Sequence, residues 1–189
     1  KELLNFCTLD LSSFYFDIRK DSLYCDSVDS KKRKNCVIVL NIILESLLKW
    51  FAPILVFTTE EIFSLVSKEN KSIHESLFVE VPDNWKNDNL NKKWSELFKI
   101  KQEANIAIEE KRANKEIGSS LEAEIKIKCK KEKYDILDNL DLAEYFITSK
   151  AERIKSENQD DIKIEVKKAV GDKCPRCWKI LEKECLRCK

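Results

Sequence analysis

A chain of 189 residues and 22.2 kDa is long enough for one substantial core, or one core and a small satellite. Its two glycines, Gly118 and Gly171, exclude a glycine-rich phosphate loop and the G-x-S-x-G nucleophile elbow, and its single histidine, His74, excludes any site needing two imidazoles. Charged residues make up 37% of the chain, but 35 basic and 34 acidic side chains nearly cancel, which excludes a wholesale polycation and leaves room for a local nucleic-acid face.

The first element is a helix by period: Leu11, Phe14, Tyr15, Ile18, Ser22 and Cys25 share one face. The polar stretch Asp26 to Lys34 reads as a loop and a helix start. Val37, Leu40, Leu44, Leu47, Leu48 and Phe51 then form a second stripe, widened by Ile38, Ile42 and Ile43. A helix apolar over so much of its circumference is expected at the centre of a bundle. Pro53 ends or kinks it. Thr58 or Thr59 caps a further amphipathic helix running to about Val66, with Glu60 and Glu61 in its first turn. Asn41, Glu45, Lys49, Pro53 and Glu60-Glu61 interrupt the apolar region Val37 to Val66, and its longest unbroken run, Trp50 to Phe57, falls far short of the roughly 20 residues a membrane span needs.

Residues 68–89 are polar, with a short extended run at Leu77 to Val81, and His74 there reads as an exposed loop residue. A long helix follows from about Leu90 to Glu116, its stripe made by Leu90, Trp94, Leu97, Lys101, Ala104 and Ile108, with Gly118 as the stop. Beyond it the period falls to two. Ala123, Ile125 and Ile127 alternate with charged residues, as do Ile162, Ile164 and Val166. A helix near Tyr134 to Leu140 and a short segment at Glu144 to Thr148 lie between these strands, so a small α+β unit is expected after a helical bundle.

Cys7, Cys25, Cys36 and Cys129 are scattered and read as reduced core residues. Cys174, Cys177, Cys185 and Cys188 form two C-x-x-C pairs separated by seven residues. Two such turns complete a tetrahedral shell of four sulfurs, the donor set of a closed, structural Zn²⁺ site, one ion per chain. Ligation would supply the folding energy that a segment of nineteen residues, 171–189, cannot draw from burial. A redox dithiol would leave the second pair unexplained.

Lys173, Arg176, Lys179, Lys183, Arg187 and Lys189 outnumber Asp172, Glu182 and Glu184 in this segment. Arg176 and Arg187 hold equivalent places in the two turns and Trp178 follows the first. Guanidinium groups beside an exposed indole suit RNA; packing of Trp178 against the α+β unit is the plainer alternative. The lysines at 31–34 and those at 126–133, Lys126 and Lys128 among them, are further candidate phosphate contacts.

The runs Leu11-Ser-Ser-Phe-Tyr-Phe-Asp-Ile-Arg-Lys-Asp-Ser-Leu-Tyr24, Trp50-Phe-Ala-Pro-Ile-Leu-Val-Phe-Thr-Thr-Glu-Glu-Ile62, Gly118-Ser-Ser-Leu-Glu-Ala123 and Lys173-Cys-Pro-Arg-Cys-Trp178 occur in one order. Together they closely resemble the C-terminal third of the bacterial isoleucyl-tRNA synthetases, a class I synthetase family, over nearly the whole chain. The W-x-A-P-I-x-x-F-T-x-E-E element is shared with valyl and leucyl relatives; the knuckle with C-P-R-C-W points to the isoleucine family.

The resemblance implies a mainly α fold. Residues 1–95 would be a helical anticodon-binding domain, 96–170 a long helix with a small α+β junction, and 171–189 a zinc knuckle. It implies a cytoplasmic, monomeric protein that holds the anticodon end of isoleucine tRNA, with no DNA or membrane partner. The family joins isoleucine to its tRNA using ATP, bound only in a catalytic domain missing here, so the chain alone is expected to be inactive and to carry no catalytic residue. Having no methionine and beginning at Lys1 within a periodic segment, it reads as a fragment. A stand-alone zinc-ribbon nucleic-acid binder and a protein-interaction module are the other readings of these residues.

Overall fold

Ala123, Ile125, Ile127 and Cys129 are fully shielded from solvent while Glu124, Lys126 and Lys128 between them are not, the alternation of a strand with one covered face. The computed structural model describes residues 1–68, 71–156 and 162–188. They group into two compact units, one of Lys1–Asp26 with Asn87–Lys189 and one of Ser27–Lys86.

The first unit begins with helical turns in three stretches: α1 (Glu2–Asn5), π-helical turns at Phe6–Phe16, and α2 (Asp17–Tyr24). Leu11, Ile18, Ser22 and Cys25, on the face read from their spacing, are buried. The long helix α5 (Asp88–Ala113) is capped by Asn87, whose side-chain oxygen accepts from the Leu90 N–H at 2.9 Å. Gly118 is not its stop. The residue that turns left-handed is Lys115, at φ 59°, and the Glu116 N–H closes the end on the Lys111 carbonyl at 3.0 Å. The Lys111 ammonium holds the Glu116 carboxylate at 2.9 Å, which fastens the turn without a glycine.

The central strand β1 (Ala123–Cys129) lies between two edges. After α6 (Lys131–Ile136) and α7 (Leu142–Tyr145) come β2 (Lys150–Lys155), parallel to β1, and β3 (Ile162–Lys168), antiparallel to it. Strand β2 has no alternating pattern in the sequence, because Lys150-Ala-Glu-Arg-Ile-Lys155 has charges on both parities. Leu97, Ile100, Ala104 and Ile108 of α5 cover the apolar face of β1 together with Leu137, Phe146 and Val166. Phe14, Trp94, Phe98 and Tyr145 form an aromatic cluster beside this core, their ring centres 4.6–6.2 Å apart in the closest pairs. Ser22, fully buried, donates to the buried Glu144 carboxylate at 3.0 Å, and Arg19 pairs with the same oxygen at 3.1 Å.

In the second unit, α3 (Lys31–Phe51) starts at Ser30, whose hydroxyl accepts from the Arg33 N–H, and α4 (Val56–Val66) packs on it around Leu48, Ala52, Ile62, Phe63 and Ile73. Helix α3 is not the shielded bundle centre its composition suggests. Val37, Ile38 and Leu44 are exposed; among the described residues of this unit, α4 and the turn at Ile73 are what pack on α3. Helix α4 begins at Val56, ahead of the expected cap. Thr59 lies inside it, buried, its hydroxyl donating to the Leu55 carbonyl at 2.9 Å. Leu77 to Val81 pairs with no strand, since the described residues of this unit form no sheet.

Candidate metal centre

The C-terminal segment opens with Gly171, at φ 128°, where a Cβ would run into the Leu181 backbone carbonyl. A two-residue hairpin follows, β4 (Asp172–Lys173) against β5 (Ile180–Leu181). Its register brings the Cys174 N–H onto the Lys179 carbonyl at 2.9 Å, and the Trp178 N–H closes the first turn on the Cys174 carbonyl at 2.9 Å. The second turn is closed by the Cys188 N–H on the Cys185 carbonyl at 3.2 Å. Among the described residues of the segment, Cys174 and Cys177 are the buried apolar side chains.

The structure brings the four cysteines together. Their Sγ atoms all lie within 4.8 Å of one another, and Cys177 and Cys185, from opposite turns, are 3.8 Å apart. A tetrahedron with metal–sulfur bonds of about 2.3 Å has edges of about 3.8 Å, so the cradle fits a four-thiolate ion. None of the eight cysteines is in a disulfide. The backbone N–H groups of Cys177 and Arg176 hold the Cys174 thiol down to about 6, whereas burial pushes the Cys177 and Cys188 thiols up.

The two arginines face inward, onto the end of α2. Arg176 donates to the Tyr24 carbonyl at 2.8 Å, and Arg187 pairs with Asp21 at 2.9 Å and with Asp26 at 3.8 Å. Burial alone would lower the Arg187 guanidinium, but the Asp21 carboxylate and the cysteine sulfurs hold it above its ordinary range. Trp178 turns the other way. It is 60% exposed, at φ 63°, with the Lys173 ammonium 5.9 Å from its ring centre. Lys189 lies outside the described residues.

Lys126 and Lys128 stand on the outer face of β1 among carboxylates. Lys128 pairs with Glu165 at 2.7 Å, and Lys126 lies 3.9 Å from both Glu124 and Glu152. Asp21, Tyr24, Cys25 and Asp26 were not visible as part of the site. Cys25 is buried against the four cysteines, yet in sequence it is one of the scattered thiols and nothing local ties it to residues 149 to 163 positions away.

A profile of the family described as the anticodon-binding domain of tRNA ligase matches residues 1–127. The chain is 59% identical over 187 residues to an isoleucine–tRNA ligase of Pelagibacter ubique, an alignment taking in 99% of the chain and 21% of that protein. It is 38% identical over 180 residues to the isoleucine–tRNA ligase of Gluconobacter oxydans and 39% identical over 189 residues to that of Bartonella henselae, in each case over 95% of the chain. The chain spans about a fifth of the length of these relatives.

Proposed function

The chain belongs to the family of anticodon-binding domains of tRNA ligases, and from that premise we propose that it holds the anticodon end of an isoleucine-accepting tRNA. The observation that carries this reading is the continuity of the match. An isoleucine–tRNA ligase aligns with 99% of the chain, well past residue 127 where the family profile stops. In this reading the parent activity is the ATP-dependent joining of isoleucine to tRNA. The region itself supplies no catalytic group and no ATP site, and it acts as a monomer in the cytoplasm. Among the described residues no helix is long and apolar enough to cross a membrane.

Residues 1–95 serve as the helical anticodon-binding part, 96–170 as the junction and 171–189 as the knuckle. Zn²⁺ is the ion for Cys174, Cys177, Cys185 and Cys188. When bound it supplies only rigidity, because four protein ligands leave no open position for water. The exposed Trp178 indole offers a stacking surface for an unpaired base, with Lys173 beside it for phosphate. Lys126, more loosely held by carboxylates than Lys128, is the better phosphate contact of the two. Arg176 and Arg187 serve the knuckle's own seat before they serve RNA.

Binding of the full chain to isoleucine tRNA, to the same tRNA with an altered anticodon and to duplex DNA tests the reading. Preference for the native anticodon supports it. Indifference to the anticodon, or preference for the duplex, overturns it in favour of a general nucleic-acid binder.

A further inference from the structure

Helix α2 ends without a cation of its own. No basic residue occupies its last turn, and its final helical hydrogen bond runs from the Cys25 N–H to the Asp21 carbonyl at 2.9 Å. The carbonyls beyond that point carry the negative end of the helix dipole and need partners from elsewhere. The knuckle supplies one. Arg176, the third residue of the first C-x-x-C, donates to the Tyr24 carbonyl at 2.8 Å. Arg187, the third residue of the second, reaches Asp21 at 2.9 Å and Asp26 at 3.8 Å.

Each of these arginines immediately precedes a metal-binding candidate, Cys177 or Cys188, so its backbone position is set by the same turn that presents the sulfur. Cys25 sits buried against Cys174 and Cys177 between the two guanidinium contacts. The knuckle has no core with which to hold these positions unaided. Arg187 also lies against the sulfurs of Cys177 and Cys188 on one side and carboxylates on the other.

We propose that the metal-loaded knuckle is a clamp on the C-terminal end of α2, with Arg176 and Arg187 as its two jaws, so that metal occupancy sets the order of residues 21–26. The inference rests on the metal reading above. The clamp acts on the last residues before the chain passes, at Ser27, into its other unit. Arg176 and Arg187 are positioning residues here, acting on α2 beside the direct packing of Cys25 on Cys174 and Cys177.

Amide hydrogen exchange on the full chain, zinc-loaded and after chelation, tests this. Removing zinc should speed exchange of the amides in residues 21–26 by about tenfold, as loss of charge-assisted contacts at a helix end does. Asp21→Asn leaves every cysteine in place; it should retain one zinc per chain and still speed exchange in the same residues by several fold. Faster exchange confined to 172–188 after chelation overturns the clamp, as does unchanged exchange in zinc-loaded Asp21→Asn. Cobalt substitution separates the two failures. A chain that takes up cobalt with a thiolate charge-transfer band but shows no response at 21–26 loses the clamp alone, whereas one that takes up neither metal loses the metal reading with it.

Discussion

Lys101 donates its ammonium proton to the backbone carbonyl of Tyr145 and lies 5.0 Å from the centre of that residue's own ring. The Phe14 ring stands 5.8 Å away on another side. A cation on the apolar stripe of α5 is thereby tolerated: the ring faces and one carbonyl replace water around it.

Burial holds the Lys101 ammonium down to about 8, with the Asp17 carboxylate opposing. Folded at 8 and unfolded near 10.5, the group binds fewer protons in the folded state between those values, so its contribution to stability rises with pH across that window. The denaturation midpoint of the chain should carry this rising component from about pH 8 to 10.5. Lys101→Met should remove it; an identical pH profile in the variant would contradict the assignment.

The Tyr145 hydroxyl is buried and meets no hydrogen-bond partner among the described residues. Tyr145→Phe therefore deletes an unsatisfied group and keeps the ring that packs on Phe14, Trp94 and Phe146. Thermal unfolding should show a variant as stable as the parent or more stable by up to about 1 kcal/mol. A loss of that size or greater would reveal a partner for the hydroxyl.

Gly171 and Gly118 make a paired test. At Gly171 the backbone is left-handed and a Cβ meets the rigid Leu181 carbonyl, so Gly171→Ala should weaken zinc retention against a chelator by about tenfold or more. At Gly118 the nearest atom is the flexible Glu122 carboxylate at 3.3 Å, and Gly118→Ala should change stability by under about 1 kcal/mol. Equal effects at the two positions would deny the knuckle its turn.

Elemental analysis should find one zinc per chain. Cys185→Ser removes one corner of a cluster whose sulfurs lie within 4.8 Å, and should lose the ion and weaken tRNA binding together. Full retention of metal would refute the four-sulfur assignment.

The parts of the fold legible in sequence are those with a local signature. Strand β1 declares itself by alternation, the four cysteines by spacing, and Leu97, Ala104 and Ile108 by helical period. Strand β2 has no such pattern because it is an edge paired in parallel, and Lys150, Glu152, Arg153 and Lys155 stay near solvent on either face. The end of α5 is not legible in the sequence, because glycine is the usual left-handed residue there, whereas Lys115 adopts that conformation under the Lys111–Glu116 pair. The seat of the knuckle joins Asp21 to Arg187, 166 positions apart, and no local pattern of a single sequence reports such a contact.

The inward-facing arginines change what ionic strength can do to this end of the protein. Four thiolates and a divalent ion carry two net negative charges, and the nearest guanidinium groups already lie against carboxylates and a carbonyl. These two guanidinium groups are therefore poorly placed to displace counterions from a polyanion, whereas Lys173 stands beside Trp178. In the proposed tRNA complex the two arginines should therefore add little to the salt dependence of affinity: the face of Trp178 carries a salt-insensitive share, while the salt-sensitive share belongs to Lys173 and to lysines elsewhere.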